Sequence, residues 1–297
     1  MPTMNDLLPQ VASRQPVERL AADQISRFQR HFKSQGIPVH LTGLAAQWPA
    51  LQRWTPEYFL TRFGDREVKL DGRVYTIADF LRDPQSAPQS EGPVPYLRQT
   101  KLRDVMPELL EELQPTPDHW RGSWLATSKI GPLTLPPAHE YEILMGRGGS
   151  SFPTIHYDAL HLHAFVVQLY GRKKVALMAP SESDNLYPDP DWPNKSTVPI
   201  NGTLDEYPLL ENLTLYETEL EPGDAIYVPS GWWHAVVNSE MSIAVTLNAA
   251  DRYNWQSFSG DWLGGDRFSP PKRMVARAIL GTAGVLYRLT DVRTPKR

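Results

Sequence analysis

The chain has 297 residues, of which 41% are hydrophobic, including nine Trp and twelve Tyr, and this is enough to build one large folded domain or two small ones. The formal net charge is −4, so the bulk electrostatics do not favour nucleic acid or an anionic membrane as a partner. The sequence contains no Cys, which excludes disulfides, thiolate metal sites and cysteine nucleophiles and leaves His and carboxylates as candidate metal ligands.

No segment of the sequence is typical of a secretory leader or a membrane span. Residues 1–15 lack a basic stretch followed by an apolar one, and no stretch reaches the roughly 18 apolar residues that a spanning helix requires. We therefore expect a cytoplasmic protein that does not cross a membrane.

The N-terminal third predicts mixed α/β structure. Apolar residues at helical spacing predict a helix over residues 13–36, followed by a strand at 37–44. A second helix is predicted between Thr55, as its N-cap, and Gly64, as its stop. An Asp-Gly turn at 71–72 then predicts a hairpin, which a further helix follows.

The second half of the chain is typical of a β-sandwich or barrel. Proline-rich stretches at 83–97 and 114–117 predict loops on either side of a helix around 102–113. Beyond them the pattern changes to short β-type runs separated by Gly and Pro. These runs are YEILMG, AFVVQLYG, KKVALMAP, DAIYVP, HAVVN and SIAVTLN. The stretch 181–220 has little periodicity and predicts a long excursion between two strands of the barrel.

A terminal helix is predicted after the proline pair at 270–271. The chain then divides into an N-terminal α/β region that packs on the core (1–135), a β core (136–252) and a helical extension (253–297). Residues 276–286 are too short to span a membrane and more apolar than a solvated helix should be. We therefore expect this helix to meet its counterpart in a two-fold homodimer.

A His-x-Asp pair stands where a strand is expected to end. His156 and Asp158 are two residues apart, so their side chains project to the same side of an extended chain. One strand end thus offers an imidazole and a carboxylate to one metal ion. Taken alone, such a pair is more often a hydrogen-bonded surface pair, and its weight comes from a second cluster.

The second cluster, PGDAIYVPSGWWH, contains a turn, an aromatic strand, another turn and then His234, which follows His156 by 78 residues. An antiparallel barrel can bring such distant strand ends together. Two imidazoles and one carboxylate on one side of an ion leave three adjacent positions open, which suits iron(II) that binds a bidentate 2-oxo acid and then dioxygen. A structural zinc site would instead close its coordination with four protein ligands.

Two further strands carry polar residues that point to a ligand. Lys173 shares a strand face with Val175 and Leu177, which places an ammonium group among apolar neighbours and calls for an anionic partner. On the last strand Thr246 and Asn248 share a small, polar face opposite an apolar one, so this face is a candidate lining for a cofactor pocket. Taken alone, a residue of each of these types is more often a solvent-facing one.

In this order the HYD motif, the GRKKVALMAP strand and PGDAIYVPSGWWHAVVN resemble the Jumonji-C, or cupin-like, hydroxylase family. The segment IPVHLTGLAAQWPALQRWTPEYFLTRFGD is similar to the family's N-terminal region, and the resemblance covers roughly residues 36–250. It implies a mostly β protein with flanking helices around a double-stranded β-helix, and iron(II) bound by His156, Asp158 and His234.

The resemblance also implies a binding site for 2-oxoglutarate as cosubstrate. Lys173 matches the lysine that binds its distal carboxylate, and Thr246 and Asn248 match polar residues that assist on the last core strand. The nearest match to the family's assisting tyrosine is Tyr141, and the nearest hydroxyl before the first ligand is Thr154, one place from its usual position.

This chain departs from the family at Ala164–Val166, where many members have an Asn, and at Pro153, where many have a hydroxyl. His161 and His163 are additional to the family pattern. For each of them, contact with substrate or cofactor and a buried hydrogen-bonded position in the core are both open.

The activity that the resemblance implies is an oxygenase reaction in which O2 hydroxylates an aliphatic C–H bond while 2-oxoglutarate becomes succinate and CO2. We favour a peptide or protein side chain as substrate, with Trp232 and Trp233 as a candidate rim. A small metabolite, a modified tRNA base, a non-catalytic metal- or small-molecule-binding protein and a metal-dependent isomerase on the same barrel stay open. Histone demethylation is less favoured, because the chain has no Cys-based reader module.

Overall fold

The computed structural model describes residues 8, 11, 13–82, 94–120, 123–125, 129–130, 132–135, 140–264 and 268–291. Part of the predicted loop at 83–97 and the last residues of the chain lie outside this range. The strands are β1 (Ser13–Pro16), β2 (Arg19–Ala21), β3 (Val39–Thr42), β4 (Glu67–Leu70), β5 (Arg73–Thr76), β6 (Tyr96–Lys101), β7 (Lys129–Ile130), β8 (Leu133–Thr134), β9 (Glu142–Gly146), β10 (His163–Tyr170), β11 (Lys173–Met178), β12 (Thr214–Leu220), β13 (Ala225–Val228), β14 (Trp233–Asn238) and β15 (Ser242–Ala249).

Two sheets that share one core form the centre of the molecule. The smaller has the order β1-β12-β11-β14 and the larger the order β2-β3-β13-β10-β15-β9-β6, while β4-β5 and β7-β8 are separate hairpins. From β9 onward the chain passes repeatedly between the two sheets, and apolar residues of both meet in one buried cluster that contains Val166, Val175 and Ala244. The predicted double-stranded β-helix is confirmed, and this cluster is its interior.

All six β-type runs form strands where the sequence predicts them. The structure corrects the interpretation of 181–220, because its last part is β12, which pairs with β11 from Leu177↔Tyr216 to Lys173↔Leu220. Residues 186–213 cover the outer face of the smaller sheet, where Leu186, Leu210 and Leu213 are buried.

The predicted helix over 13–36 is wrong in its first half, which forms β1 and β2. Each of these strands adds to a sheet edge in parallel, β1 on β12 and β2 on β3. Pro16 cannot donate a hydrogen bond inside a helix, whereas the sheet edges satisfy the backbone groups on either side of it. Residues 25–33 are helical, first as an α-turn and then as a π-helical one.

Helices surround the barrel, and the one that follows Thr55 begins where its local signal places it. Thr55 accepts a hydrogen bond from the Tyr58 N–H at 3.1 Å, as an N-cap does. The helix predicted at 102–113 is interrupted at Pro107 and continues as a 3-10 helix. The α-helices are α1 (Ile25–Arg27), α2 (Pro49–Arg53), α3 (Pro56–Phe63), α4 (Ile77–Arg82), α5 (Leu102–Val105), α6 (Trp255–Leu263) and α7 (Pro270–Asp291).

The two C-terminal helices pack on the end of the larger sheet. Ala276, Leu280 and Ala283 of α7 are buried against Trp255 and Phe258 of α6. The other face of α7 is exposed to solvent. In the described part of the chain no helix combines the length and the apolar character needed to cross a membrane.

Candidate metal centre

The two histidines of the predicted triad are held side by side by the backbone. The N–H of His234 donates to the carbonyl of His156 at 2.7 Å, and the N–H of His156 donates to the carbonyl of His234 at 3.2 Å. The two rings lie 4.4 Å apart between centroids. This pairing joins the start of β14 to the segment before β10 and brings together residues that are distant in sequence.

The hydrogen bonds of both rings leave the same nitrogen available. Nδ1 of His156 lies 3.0 Å from the carbonyl oxygen of Thr154, and Nδ1 of His234 lies 3.2 Å from that of Trp232. A carbonyl can only accept, so each Nδ1 carries the proton and each Nε2 keeps a free lone pair. Metal-binding histidines are oriented by this kind of contact.

Asp158 completes the cluster. One ligand atom from each of His156, Asp158 and His234 lies within 4.8 Å of the others. Oδ2 of Asp158 is buried without a hydrogen-bond partner in the described residues. Burial raises the pKa of Asp158, and burial together with the neighbouring His234 lowers the pKa of His156 to about 3. A divalent cation at this point would supply the missing partner, and the donor set of two imidazoles and one carboxylate fits iron(II).

Lys173 lies in the barrel interior and is fully buried. Its Nζ donates a hydrogen bond to the Tyr96 hydroxyl at 2.8 Å and lies 4.9 Å from the centroid of that ring. Burial lowers the pKa of Lys173 to about 7, and no carboxylate of the described residues forms an ion pair with it. An ammonium group in this setting fits the distal carboxylate of a dicarboxylic acid.

Three other predicted cofactor contacts, Thr246, Asn248 and Thr154, carry polar groups. Thr246 and Asn248 lie on the same face of β15 as buried Ala244, and they pair with Val166 and Ala164 across β10. The side-chain oxygens of Asn248 and Thr154 are buried, and neither has a hydrogen-bond partner in the described residues. Unpaired buried oxygens of this kind are costly in a folded protein, and a bound ligand or water offsets that cost.

Tyr141 does not lie with the other candidates. It alternates with Glu142 and Leu144, so it projects to the opposite face of the larger sheet and packs against Trp48 and Trp120. Tyr96 of β6 is the tyrosine beside Lys173. Tyr96 falls in the stretch interpreted as a loop, and PYLRQTK has no apolar–polar alternation that would have marked it as part of a strand.

The two additional histidines hold the segment that follows Asp158. His163 is buried in the outer core, where its Nδ1 accepts from the Ser230 N–H at 3.0 Å and lies 3.2 Å from the Tyr227 hydroxyl. His161 is partly exposed, and its Nδ1 lies 2.6 Å from a carboxylate oxygen of Asp261 on α6. The interpretation as a buried, hydrogen-bonded residue is confirmed for His163.

Comparisons with known proteins agree with this geometry. Residues 25–260 match the model of a family described as "Cupin-like domain". The chain is 30% identical over 267 residues to Jumonji C domain-containing protein 5 of Drosophila melanogaster, an alignment that covers 83% of this chain and 63% of the relative. It is 28% identical over 260 residues to lysine-specific demethylase JMJ21 of Arabidopsis thaliana, covering 80% of this chain and 26% of the relative. It is 26% identical over 257 residues to lysine-specific demethylase 8 of Xenopus tropicalis, covering 81% of this chain and 54% of the relative. The chain thus spans less than two thirds of the length of each of these relatives.

Proposed function

The chain belongs to the Jumonji-C, cupin-like family, and we propose on that premise that it is an iron(II)- and 2-oxoglutarate-dependent oxygenase. The observation that carries the proposal is that one barrel contains both a group of potential metal ligands and a cation without an anionic partner among the described residues. Three potential metal ligands lie at one end, and a buried, unpaired ammonium group, Lys173, lies deeper in the same interior. A 2-oxo dicarboxylic acid is a single molecule that would satisfy both.

The roles of the residues follow from their positions. His156, Asp158 and His234 would hold the iron, and their backbone pairing would fix the ligand geometry before the metal arrives. Lys173 and Tyr96 would bind the distal carboxylate, and Thr246, Asn248 and Thr154 would offer hydrogen bonds to the cosubstrate. The apolar walls formed by Val166, Val175 and Ala244 would exclude water. When bound, iron(II) and 2-oxoglutarate supply the oxidising power, with O2 consumed and succinate and CO2 released.

We propose that the reaction hydroxylates an aliphatic C–H bond of a peptide or protein side chain. The relatives named as lysine-specific and arginine-specific demethylases support a protein substrate. Removal of an N-methyl group by such enzymes starts with hydroxylation of a C–H bond, so the same chemistry serves both outcomes. Whether the product keeps the hydroxyl or loses formaldehyde depends on the substrate atom that is presented to the metal.

The proposal is tested by succinate formation without added substrate. Protein loaded with iron(II) under anaerobic conditions should convert 2-oxoglutarate to succinate slowly when air is admitted, and Asp158→Ala should lose this turnover. Asp205→Ala, at an exposed carboxylate, is the matched control and should keep it. A wild-type protein that binds metal but forms no succinate would be a binding protein instead, and turnover in Asp158→Ala would refute the ligand assignment.

A further inference from the structure

Glu142 carries a carboxylate on the interior face of the barrel. On β9, Ile143 and Met145 belong to the core outside the barrel, whereas Leu144 belongs to the interior cluster. Glu142 shares the face of Leu144, because strand residues two apart point the same way. It pairs with Thr246 of β15 on one side and with Lys101 of β6 on the other.

The carboxylate lies at the metal end of the interior and not at the Lys173 end. Tyr96, the hydrogen-bond partner of Lys173, pairs with Gly146. Glu142 is four residues from Gly146, which is roughly 13 Å along a strand. It also stands apart from the group of three potential metal ligands. Its neighbour Thr246 is one of the proposed cosubstrate contacts, so Glu142 would lie beside the cosubstrate at the metal end, where the substrate has to approach.

No hydrogen bond or ion pair with another described residue satisfies Glu142. Lys101, directly opposite, directs its Nζ to Glu140 at 2.9 Å, and Arg103 adds a second contact to Glu140 at 2.6 Å. Burial raises the pKa of Glu142, Lys101 lowers it, and the charges of Asp158 and Glu140 raise it further. Glu142 is partly buried, and a carboxylate that is withdrawn from water without a close partner is unfavourable, so a cation placed beside it would relieve this.

We infer that Glu142 is a specificity-determining residue that binds a positively charged group of the substrate, a guanidinium or an ammonium, beside the metal. The inference rests on the proposed function, because it assigns the substrate class of the same site. A carboxylate accepts a guanidinium through two parallel hydrogen bonds, so it would both attract the cation and orient the carbon chain attached to it. The cation belongs either to a peptide side chain or to a small molecule, and the two are separated by the test.

The test compares charged and neutral probes on the full-length chain loaded with Mn(II). One pair is a pentapeptide with Arg at its centre and the same peptide with citrulline, which has nearly the same shape without the charge. The second pair is N-acetylarginine amide and N-acetylcitrulline amide. Broadening of the probe's NMR signals by Mn(II), relative to a Zn(II)-loaded sample, reports binding close to the metal and gives an apparent Kd.

The wild-type chain should bind at least one Arg probe roughly tenfold or more tightly than its citrulline counterpart, the size expected for a charge-assisted contact. In Glu142→Gln the affinities for the Arg probe and its citrulline counterpart should become nearly equal. In Glu142→Lys the citrulline probe should bind more tightly than the Arg probe. Glu111→Gln removes the same charge from an exposed position and should keep the wild-type preference. The ratio is measured within each variant, so it does not depend on the fraction of folded protein.

A wild-type chain without preference for Arg, or a Glu142→Gln variant that keeps the full preference, would overturn the inference. A preference seen only with the peptides identifies a peptide side chain as the source of the cation, and one seen equally with the amides identifies a small molecule. Succinate formation is scored separately. If it fails in the wild-type chain, the proposed function fails, while the Arg-to-citrulline ratio still decides the role of Glu142.

Discussion

Among the described residues, a buried ammonium group without a counter-ion is the clearest sign of a ligand. Lys173 is fully buried, and within the part of the chain that the structure describes it has one hydrogen bond, to the Tyr96 hydroxyl. Its burial opposes the charged form, and its pKa falls to about 7. A residue that serves only stability would not be kept in this state, since an apolar side chain of the same length packs there at lower cost.

Lys173→Met should therefore stabilise the empty protein and weaken its cosubstrate binding. We expect the free energy of unfolding at neutral pH to rise by about 1–4 kcal/mol, because the variant no longer buries an ammonium group. The KM for 2-oxoglutarate should rise roughly tenfold or more. Urea denaturation of the metal-free protein and succinate formation measure the two effects. Lys174→Met is the control, and an unchanged KM in Lys173→Met would show that another cation binds the cosubstrate.

The same lysine predicts a pH dependence of cosubstrate binding. Below its pKa of about 7 the ammonium is already charged, and the anion binds without proton uptake. Above that pH the empty site must take up one proton to bind, so KM should rise by about tenfold per pH unit until other groups titrate. Lys173→Arg keeps its charge and should flatten the profile between about pH 7 and pH 9. A wild-type KM that is constant over this interval would contradict the assignment.

At the residue scale the sequence predicted that His156, Asp158 and His234 come together, but it missed Tyr96 and placed Tyr141 on the wrong face of its strand. His156 and Asp158 follow from local spacing, and His234 follows a turn and strand that are visible in the sequence. Tyr96 and Glu142 could not be recognised locally, since their roles depend on which face of a strand meets the interior. That face is set by pairing with distant strands, as Glu142↔Thr246 and Tyr96↔Gly146 show.

At the scale of elements, sequence signals that act over a few residues, such as a helix N-cap, predicted the local structure well. Thr55 caps α3 because its side chain reaches the Tyr58 N–H on the next turn. The strand β1 was missed because its partner is distant, with Ser13 paired to Thr214. Sheet edges thus overrode a helical pattern that was correct only for 25–33.

Two glycines of α7 make a matched test of how this helix packs. A Cβ at Gly284 would lie 2.7 Å from Cδ1 of Trp255, whereas a Cβ at Gly281 meets nothing within 4 Å. We expect Gly281→Ala to raise the free energy of unfolding by about 0.5–1 kcal/mol, because alanine is the better helix former. Gly284→Ala should lower it, because the ring must move. Urea denaturation of both variants measures this, and a stabilising Gly284→Ala would show that α7 does not pack on Trp255.

At the scale of the whole molecule the exposed side of α7 is the feature that the single chain does not explain. Met274, Val275, Val285 and Leu286 are exposed by 71%, 56%, 59% and 57%. They lie on one side of the helix, opposite the buried Ala276 and Leu280. We propose that this side meets its counterpart in a second copy of the chain, so that one self-complementary interface is formed.

Val275→Asp combined with Leu286→Asp should convert this dimer to a folded monomer, because the interface would then bury four carboxylates per dimer. Light scattering coupled to gel filtration at micromolar concentration measures the mass. The control replaces exposed Gln47 and Gln256 by Asp, which adds the same charge elsewhere. A wild-type chain that is already monomeric would refute the proposed interface.

The whole fold was predictable to the level of its class. The regular spacing of short β-type runs predicted the barrel, whereas the N-terminal region was expected to pack beside the core. In the structure that region also supplies β1 to the smaller sheet and β2, β3 and β6 to the larger one. Contacts of this kind depend on the finished barrel, and no local pattern encodes them.

The central claim is that iron(II) and 2-oxoglutarate bind together in this barrel, and anaerobic visible spectroscopy tests it directly. A 2-oxo acid that chelates iron(II) through its carboxylate and keto oxygens gives a visible charge-transfer band that neither component gives alone. We expect the band when 2-oxoglutarate is added to the iron(II)-loaded protein, and we expect it to be absent from His234→Ala. A wild-type protein that binds iron(II) and shows no band at saturating 2-oxoglutarate would contradict the account.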